Sequence, residues 1–128
     1  MSDLILGDLN IAPLIKAQIF LKTAIDVARS DLERAGAIQS FEICYELSWK
    51  TMKRILAYRG IEANSPREVF RLAAREKLID DLERWFDFLE KRNLTRHVYN
   101  LAIAEEVFAF LPSFYLALDL FIRRIRSL

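Results

Sequence analysis

The chain has 128 residues, 53% of them apolar, which is enough to bury a core as one globular domain over residues 1–128 without covalent staples. Nineteen Lys and Arg against eighteen Asp and Glu give a net charge of +1, which argues against a protein that coats nucleic acid and leaves room only for a local basic patch. The single cysteine, Cys44, excludes an internal disulfide and a Cys-based zinc cluster and fits a reducing, cytoplasmic setting. The first ten residues carry Asp3 and Asp8 and no basic segment, unlike a signal peptide.

Three glycines and three prolines leave few tight turns, and the stretches between them repeat at the 3.6-residue period. An all-α protein is expected. A first helix is predicted from about Leu9 to Ser30, with Leu14, Ala17, Leu21, Ile25 and Ala28 on one stripe. A long second helix follows from Leu32 to Arg59 and is closed by Gly60. Phe41, Cys44, Tyr45, Ser48, Met52, Ile55 and Leu56 share one face, while Ile43, Leu47 and Trp49 make further faces apolar, predicting burial on two sides. Ser65-Pro66-Arg67-Glu68 is a helix start, with Ser65 as cap, Pro66 at the first position and Glu68 returning to the cap's own N–H. The short helix it opens buries Val69, Phe70, Leu72 and Ala73 and ends near Lys77.

Asp80 with Glu83 marks the next start, leading through Trp85, Phe88 and Leu89. Asp80, Asp81 and Glu83 read as helix-start charges, not metal ligands. The last helix is predicted from Ala102 to Arg126, with a kink or break near Phe108 to Leu111 imposed by Pro112. Its uncharged run, Val107 to Leu118, is shorter than the roughly 20 residues of a membrane span and reads as a buried or interface helix. Arg123, Arg124 and Arg126 oppose the dipole at its end.

The chemistry concentrates between Arg92 and Tyr99, where a permanent cation, an amide, the sole histidine and a phenol fall within eight residues. Arginine forms a fork that matches phosphate oxygens, and histidine exchanges protons near neutrality. In that pattern His97 can take a proton from a ribose 2′-hydroxyl, Arg92 can stabilise charge developing on the phosphate, and Asn93 can orient His97 or donate to a phosphate oxygen. Lys91 and Arg96 can hold the backbone of a single RNA strand. No metal or other cofactor is required. A plainer reading pairs Arg92 with an acid such as Asp87 or Glu90 and leaves His97 an ordinary polar helix residue. On one straight helix Arg92 and His97 lie about 140° apart, so convergence requires a break near Leu94 and Thr95 or a second copy across a two-fold axis.

Three blocks in order carry a resemblance: Phe41-Glu42-Ile43-Cys44-Tyr45-Glu46-Leu47-Ser48-Trp49-Lys50, then Asn64-Ser65-Pro66-Arg67-Glu68-Val69-Phe70, then Arg92-Asn93-Leu94-Thr95-Arg96-His97-Val98-Tyr99. Over Leu9 to Phe110 the chain resembles the HEPN superfamily, in its nucleotidyltransferase substrate-binding branch. The family's pattern of Arg, four residues, His, one residue, Tyr is met by Arg92, His97 and Tyr99. The tail from Leu111 is more apolar than that family's. The resemblance implies an up-and-down four-helix bundle with an additional short helix, forming a homodimer whose motifs face one cleft. It further implies the toxin of a toxin-antitoxin pair: a metal-independent endoribonuclease acting on RNA, neutralised by a small nucleotidyltransferase antitoxin that attaches AMP to Tyr99. The alternative it carries is a noncatalytic subunit that presents a nucleotide or other substrate to a nucleotidyltransferase.

Overall fold

The computed structural model describes residues 3–128 and is all-α apart from a two-residue-by-two-residue hairpin. Strands β1 (Leu4–Ile5) and β2 (Leu9–Asn10) pair antiparallel, with Leu4 opposite Asn10 and Ile5 opposite Leu9. Leu6 and Gly7 make the turn in left-handed backbone, at φ 53° and 91°. The hairpin folds Ile5, Leu9 and Ile11 into the core. Helix α1 therefore spans Ala12–Val27 and not the expected Leu9 to Ser30. At its start the Asn10 side chain accepts from Ala12 N–H, and Ser30, beyond its end, belongs to the next helix. On the expected stripe Leu14 and Leu21 are buried, Ala17 and Ile25 only partly, and Gln18 is buried beside them with its amide donating to Asp119 at 3.0 Å.

Helix α2 (Asp31–Tyr58) begins with a reciprocal capping box: Ser30 Oγ accepts from Glu33 N–H, and the Glu33 carboxylate accepts from Ser30 N–H. The same carboxylate takes the Arg29 N–H, and these bonds hold Glu33 below the usual carboxylate range. Its predicted inner face is buried from Phe41 to Leu56. The second side is less complete than expected, because Leu47 and Trp49 are half-buried while Ile43 remains 51% exposed beside an open groove. Gly60, at φ 75°, ends the helix.

Helix α3 (Pro66–Arg75) starts at Ser65, whose hydroxyl accepts from Glu68 N–H. The Glu68 carboxylate takes the Asn64 N–H, one residue before the expected donor. The helix stops short of Lys77, which turns into left-handed backbone at φ 63°, and Leu72 is only half-buried. Helix α4 (Leu82–Leu94) is capped by Asp81 and not by Asp80, which instead forms a two-bond clamp with Arg124 at 2.7 Å. Helix α5 (Leu101–Ile125) starts on Asn100, whose side chain accepts from Ala102 and Ile103 N–H.

Of the kink or break expected in α5, the break is absent, since the backbone stays helical through Pro112. The ring lies on an exposed side, where water can satisfy the carbonyl that loses its donor. By length and composition α5 is apolar enough to cross a membrane, but its inner stripe of Val107, Leu111, Phe114, Leu118, Phe121 and Ile125 is core of this bundle. An aromatic knot ties the helices together. Phe114 of α5 sits edge-on to Phe41 of α2 at 4.8 Å and to Phe88 of α4 at 5.0 Å, and Trp85 bridges Phe88 and Phe70 of α3. The result is a four-helix bundle of α1, α2, α4 and α5, with α3 as the additional short helix.

Candidate functional site

The Arg92-to-Tyr99 segment is not one straight helix. α4 ends at Leu94, Thr95 to His97 tighten into a 3-10 turn, and Asn100 opens α5 in extended backbone. The break falls at Leu94 and Thr95, one of the two arrangements expected, yet it leaves Arg92 and His97 apart. Thr95 makes the break: its hydroxyl, buried at 6% exposure, donates to the Arg92 carbonyl at 2.6 Å and accepts from Arg92 Nη1 at 2.9 Å.

The turn splits the motif into two halves. One is the pair of His97 and Tyr99, whose Nδ1 and hydroxyl lie 3.0 Å apart with the rings edge to face at 82°. His97 is exposed, and Tyr99 is 84% exposed. Because Nδ1 meets the phenol, Nε2 is the nitrogen left to face solvent. If Nδ1 carries the proton and donates it to the phenol oxygen, Nε2 is an unprotonated acceptor, the form a base requires.

The other half is Arg92, which turns back onto α2. Its Nη1 is 3.4 Å from Glu42 and its Nε 3.8 Å from Glu46. Its acids are thus these two and not Asp87 or Glu90, because the guanidinium leaves α4 on the side that packs against α2. Glu46 is itself fixed, accepting from Trp49 Nε1 at 3.0 Å with Lys50 Nζ 3.8 Å away. No hydrogen bond joins Arg92 to His97 among the described residues.

Asn93 and Arg96 are exposed. Lys91 lies against α5, with Nζ 3.1 Å from Glu106 and 5.4 Å from the centre of the Phe110 ring, so holding RNA requires it to leave Glu106. Sequence reasoning took Thr95 only as a break point and gave Glu42 and Glu46 no role, missing all three as partners of Arg92. The signal for the acids was an i, i+4 carboxylate pair within an otherwise apolar block. Among the described residues, no group of three or more His, Cys, Asp or Glu is clustered to hold a metal ion.

Comparison with known proteins places the chain in a family. Residues 9–127 match the family model described as "Nucleotidyltransferase substrate binding protein like". The chain belongs to that family. A Haemophilus influenzae protein named "Probable ribonuclease HepT" is 35% identical over 98 residues, covering 73% of this chain and 67% of the relative. A Thermus thermophilus protein of known crystal structure superposes with a TM-score of 0.83 at 32% identity, covering 88% of this chain and 98% of its own. A second solved structure, also from Haemophilus influenzae, is described as revealing the fold of a substrate binding domain of a nucleotidyltransferase. It superposes with a TM-score of 0.82 at 31% identity, over 91% of this chain and 99% of its own. Membership of the HEPN-like branch and the bundle architecture expected from the three sequence blocks are both borne out.

Proposed function

We propose that the protein is the endoribonuclease toxin of a toxin-antitoxin pair, working as a homodimer and neutralised by a partner nucleotidyltransferase. The observation that carries this reading is the helix break at Leu94 and Thr95, which lifts an exposed His97–Tyr99 pair out of α4 while Arg92 stays at its end. The similarity to a protein named as a ribonuclease supports it. In the reaction, His97 Nε2 takes the 2′-hydroxyl proton, the 2′ oxygen attacks the adjacent phosphorus, and the 5′ oxygen of the next nucleotide leaves with a proton. A 2′,3′-cyclic phosphate and a free 5′-hydroxyl result. Arg92 balances charge on the phosphate oxygens, Asn93 orients the phosphate, and Arg96 and Lys91 hold the strand.

Arg92 and His97 of one chain do not touch, so the composite cleft draws on two copies. Exposed apolar residues beside the motif, Ile43 and Leu101, give a second copy a surface to cover. The partner nucleotidyltransferase, implied by the family, transfers AMP from ATP to the Tyr99 oxygen, which gives up its proton as pyrophosphate leaves, and the Tyr99 ring is exposed for that modification. The bulky phosphodiester anion then stands within reach of His97, repelling RNA and removing the phenol that fixes the ring. The second reading, a noncatalytic subunit presenting substrate to a nucleotidyltransferase, is favoured by the family description and by the second Haemophilus influenzae structure.

The deciding experiment incubates RNA with protein in excess chelator, comparing wild type with His97→Ala and mapping the ends. Mass spectrometry first establishes that Tyr99 is unmodified. Cleavage to 2′,3′-cyclic phosphate ends that disappears in the variant supports the ribonuclease. Intact RNA with unmodified wild-type protein refutes it in favour of the substrate-presenting subunit.

A further inference from the structure

Arg92 is held from behind. Nη1 is taken by Thr95 at 2.9 Å and approached by Glu42 at 3.4 Å, and the side chain is only 26% exposed. Nε is shut off from water yet makes no hydrogen bond, because the nearest Glu46 oxygen lies 3.8 Å away, too far to accept. Nη2 has no partner among the described residues. One edge of the fork is anchored, the Nε corner is slack, and the remaining edge is free.

An unpaired buried N–H of a cation is costly, so the 3.8 Å gap is a bond waiting to be made. A guanidinium shift of under about 1 Å brings Nε to hydrogen-bond distance from Glu46. Glu46 can receive it, because Trp49 Nε1 and Lys50 already steady its other oxygen. A pivot of the guanidinium about its anchored Nη1, made as the free edge turns to a phosphate, closes Nε onto Glu46, and a bond made only in the engaged position favours the engaged state over the resting one.

We propose that Glu42 and Glu46 are positioning residues that aim the free edge of Arg92 at a substrate phosphate, Glu42 anchoring the resting position and Glu46 completing its bond when Arg92 engages. The ribonuclease reading decides which phosphate this is, and the proposal rests on it only in that respect. The two carboxylates also place more negative than positive charge around Arg92, so removing one favours anion binding while loosening the aim. That opposition gives the proposal its test.

Glu46→Gln keeps an oxygen for Trp49 Nε1 and the shape of the side chain while deleting the charge. In the cleavage assay kcat is expected to fall about tenfold with KM unchanged or lower, whereas a merely structural defect lowers thermal stability and raises KM. In an Arg92→Ala background the same substitution is expected to have no further effect on kcat. A readout independent of catalysis is 15N NMR of the Arg92 guanidinium. Wild type is expected to show hindered rotation about Cζ–Nε, with separate Nη1 and Nη2 signals, and Glu42→Gln is expected to speed that rotation measurably, with Thr95 still holding Nη1. A fully 2′-O-methylated RNA oligonucleotide, which cannot be cleaved by 2′ attack, is expected to sharpen the Nε–H signal and shift it downfield in wild type but not in Glu46→Gln.

Free rotation in wild type overturns the proposal, as does an Nε–H signal that the oligonucleotide moves equally in both proteins. An equal kcat loss with and without Arg92 also overturns it. If wild type cleaves nothing, the ribonuclease reading falls, and the rotation and oligonucleotide shifts decide the positioning role alone.

Discussion

Thr95 holds the turn that shapes the motif, and Thr95→Val removes its hydroxyl at almost no change in volume. Two bonds go: the donation to the Arg92 carbonyl at 2.6 Å and the acceptance from Arg92 Nη1 at 2.9 Å. The first is a neutral bond, worth about 1 kcal/mol net, and it is partly redundant, because the Thr95 backbone N–H also reaches the Arg92 carbonyl. The second is charge-assisted, worth about 1.5–3 kcal/mol when fully lost. Glu42 remains to hold Nη1, so the loss falls toward the lower bound. The sum is about 2 kcal/mol.

For a chain of 128 residues the entropy of unfolding near 60 °C makes each kcal/mol worth nearly 4 °C, so the midpoint is expected to drop by about 7 °C. Thermal unfolding followed by circular dichroism, with urea titration as a second measure, tests this. Thr95→Ser, which keeps both bonds and loses a methyl, is expected to fall by less than half as much. A Thr95→Val midpoint within about 1 °C of wild type, or a serine variant as damaged as the valine one, refutes the claim that the hydroxyl holds the turn.

Tyr99→Phe removes the oxygen opposite His97 Nδ1. His97 is the only histidine in the sequence, so its ring nitrogens are observable by 15N NMR without ambiguity, and the tautomer balance is expected to move toward Nε2–H; an unchanged balance contradicts the pairing. Cys44 is fully buried and burial pushes its thiol up to about 12, so iodoacetamide at pH 8 is expected to leave the native protein unlabelled and to label it in urea. The two hydrogen bonds from Arg124 hold the Asp80 carboxyl below its usual value. Their stabilisation is present above the unfolded-state value of about 3.9 and is lost as pH falls through the lower folded-state value. Asp80→Asn is therefore expected to cost about 1 kcal/mol in urea titrations at pH 7, an exposed pair's upper range, and almost nothing once the pH has fallen below the folded-state value. Pro112→Ala restores a donor inside α5 on an exposed side and is expected to raise the thermal midpoint; a lower midpoint means the proline's stiffening of the unfolded chain outweighs that bond.

Two helix ends were legible because their signals span only a few residues: Ser65 with Pro66 opens α3 through its own side chain, and Gly60, having no Cβ, takes the left-handed turn that closes α2; the equally local Ser30–Glu33 box was read through as part of the first helix. The start of α4 was misread by one residue because Asp80 and Asp81 are equally good caps by local chemistry. Arg124, 44 residues away, claims the first and leaves the second to cap. The amino-terminal hairpin was illegible for a related reason: Leu6 at φ 53° is not a residue that announces a turn, and burial of Ile5, Leu9 and Ile11 against the bundle holds it there. The site divides in the same way. Arg92, His97 and Tyr99 were legible as a local pattern, as was the need for a break at Leu94 and Thr95. What Arg92 leans on was not, because Glu42 and Glu46 lie about fifty positions earlier and meet it only through the packing of α4 on α2. Local chemistry therefore names the reactive groups, and tertiary packing decides which way they point.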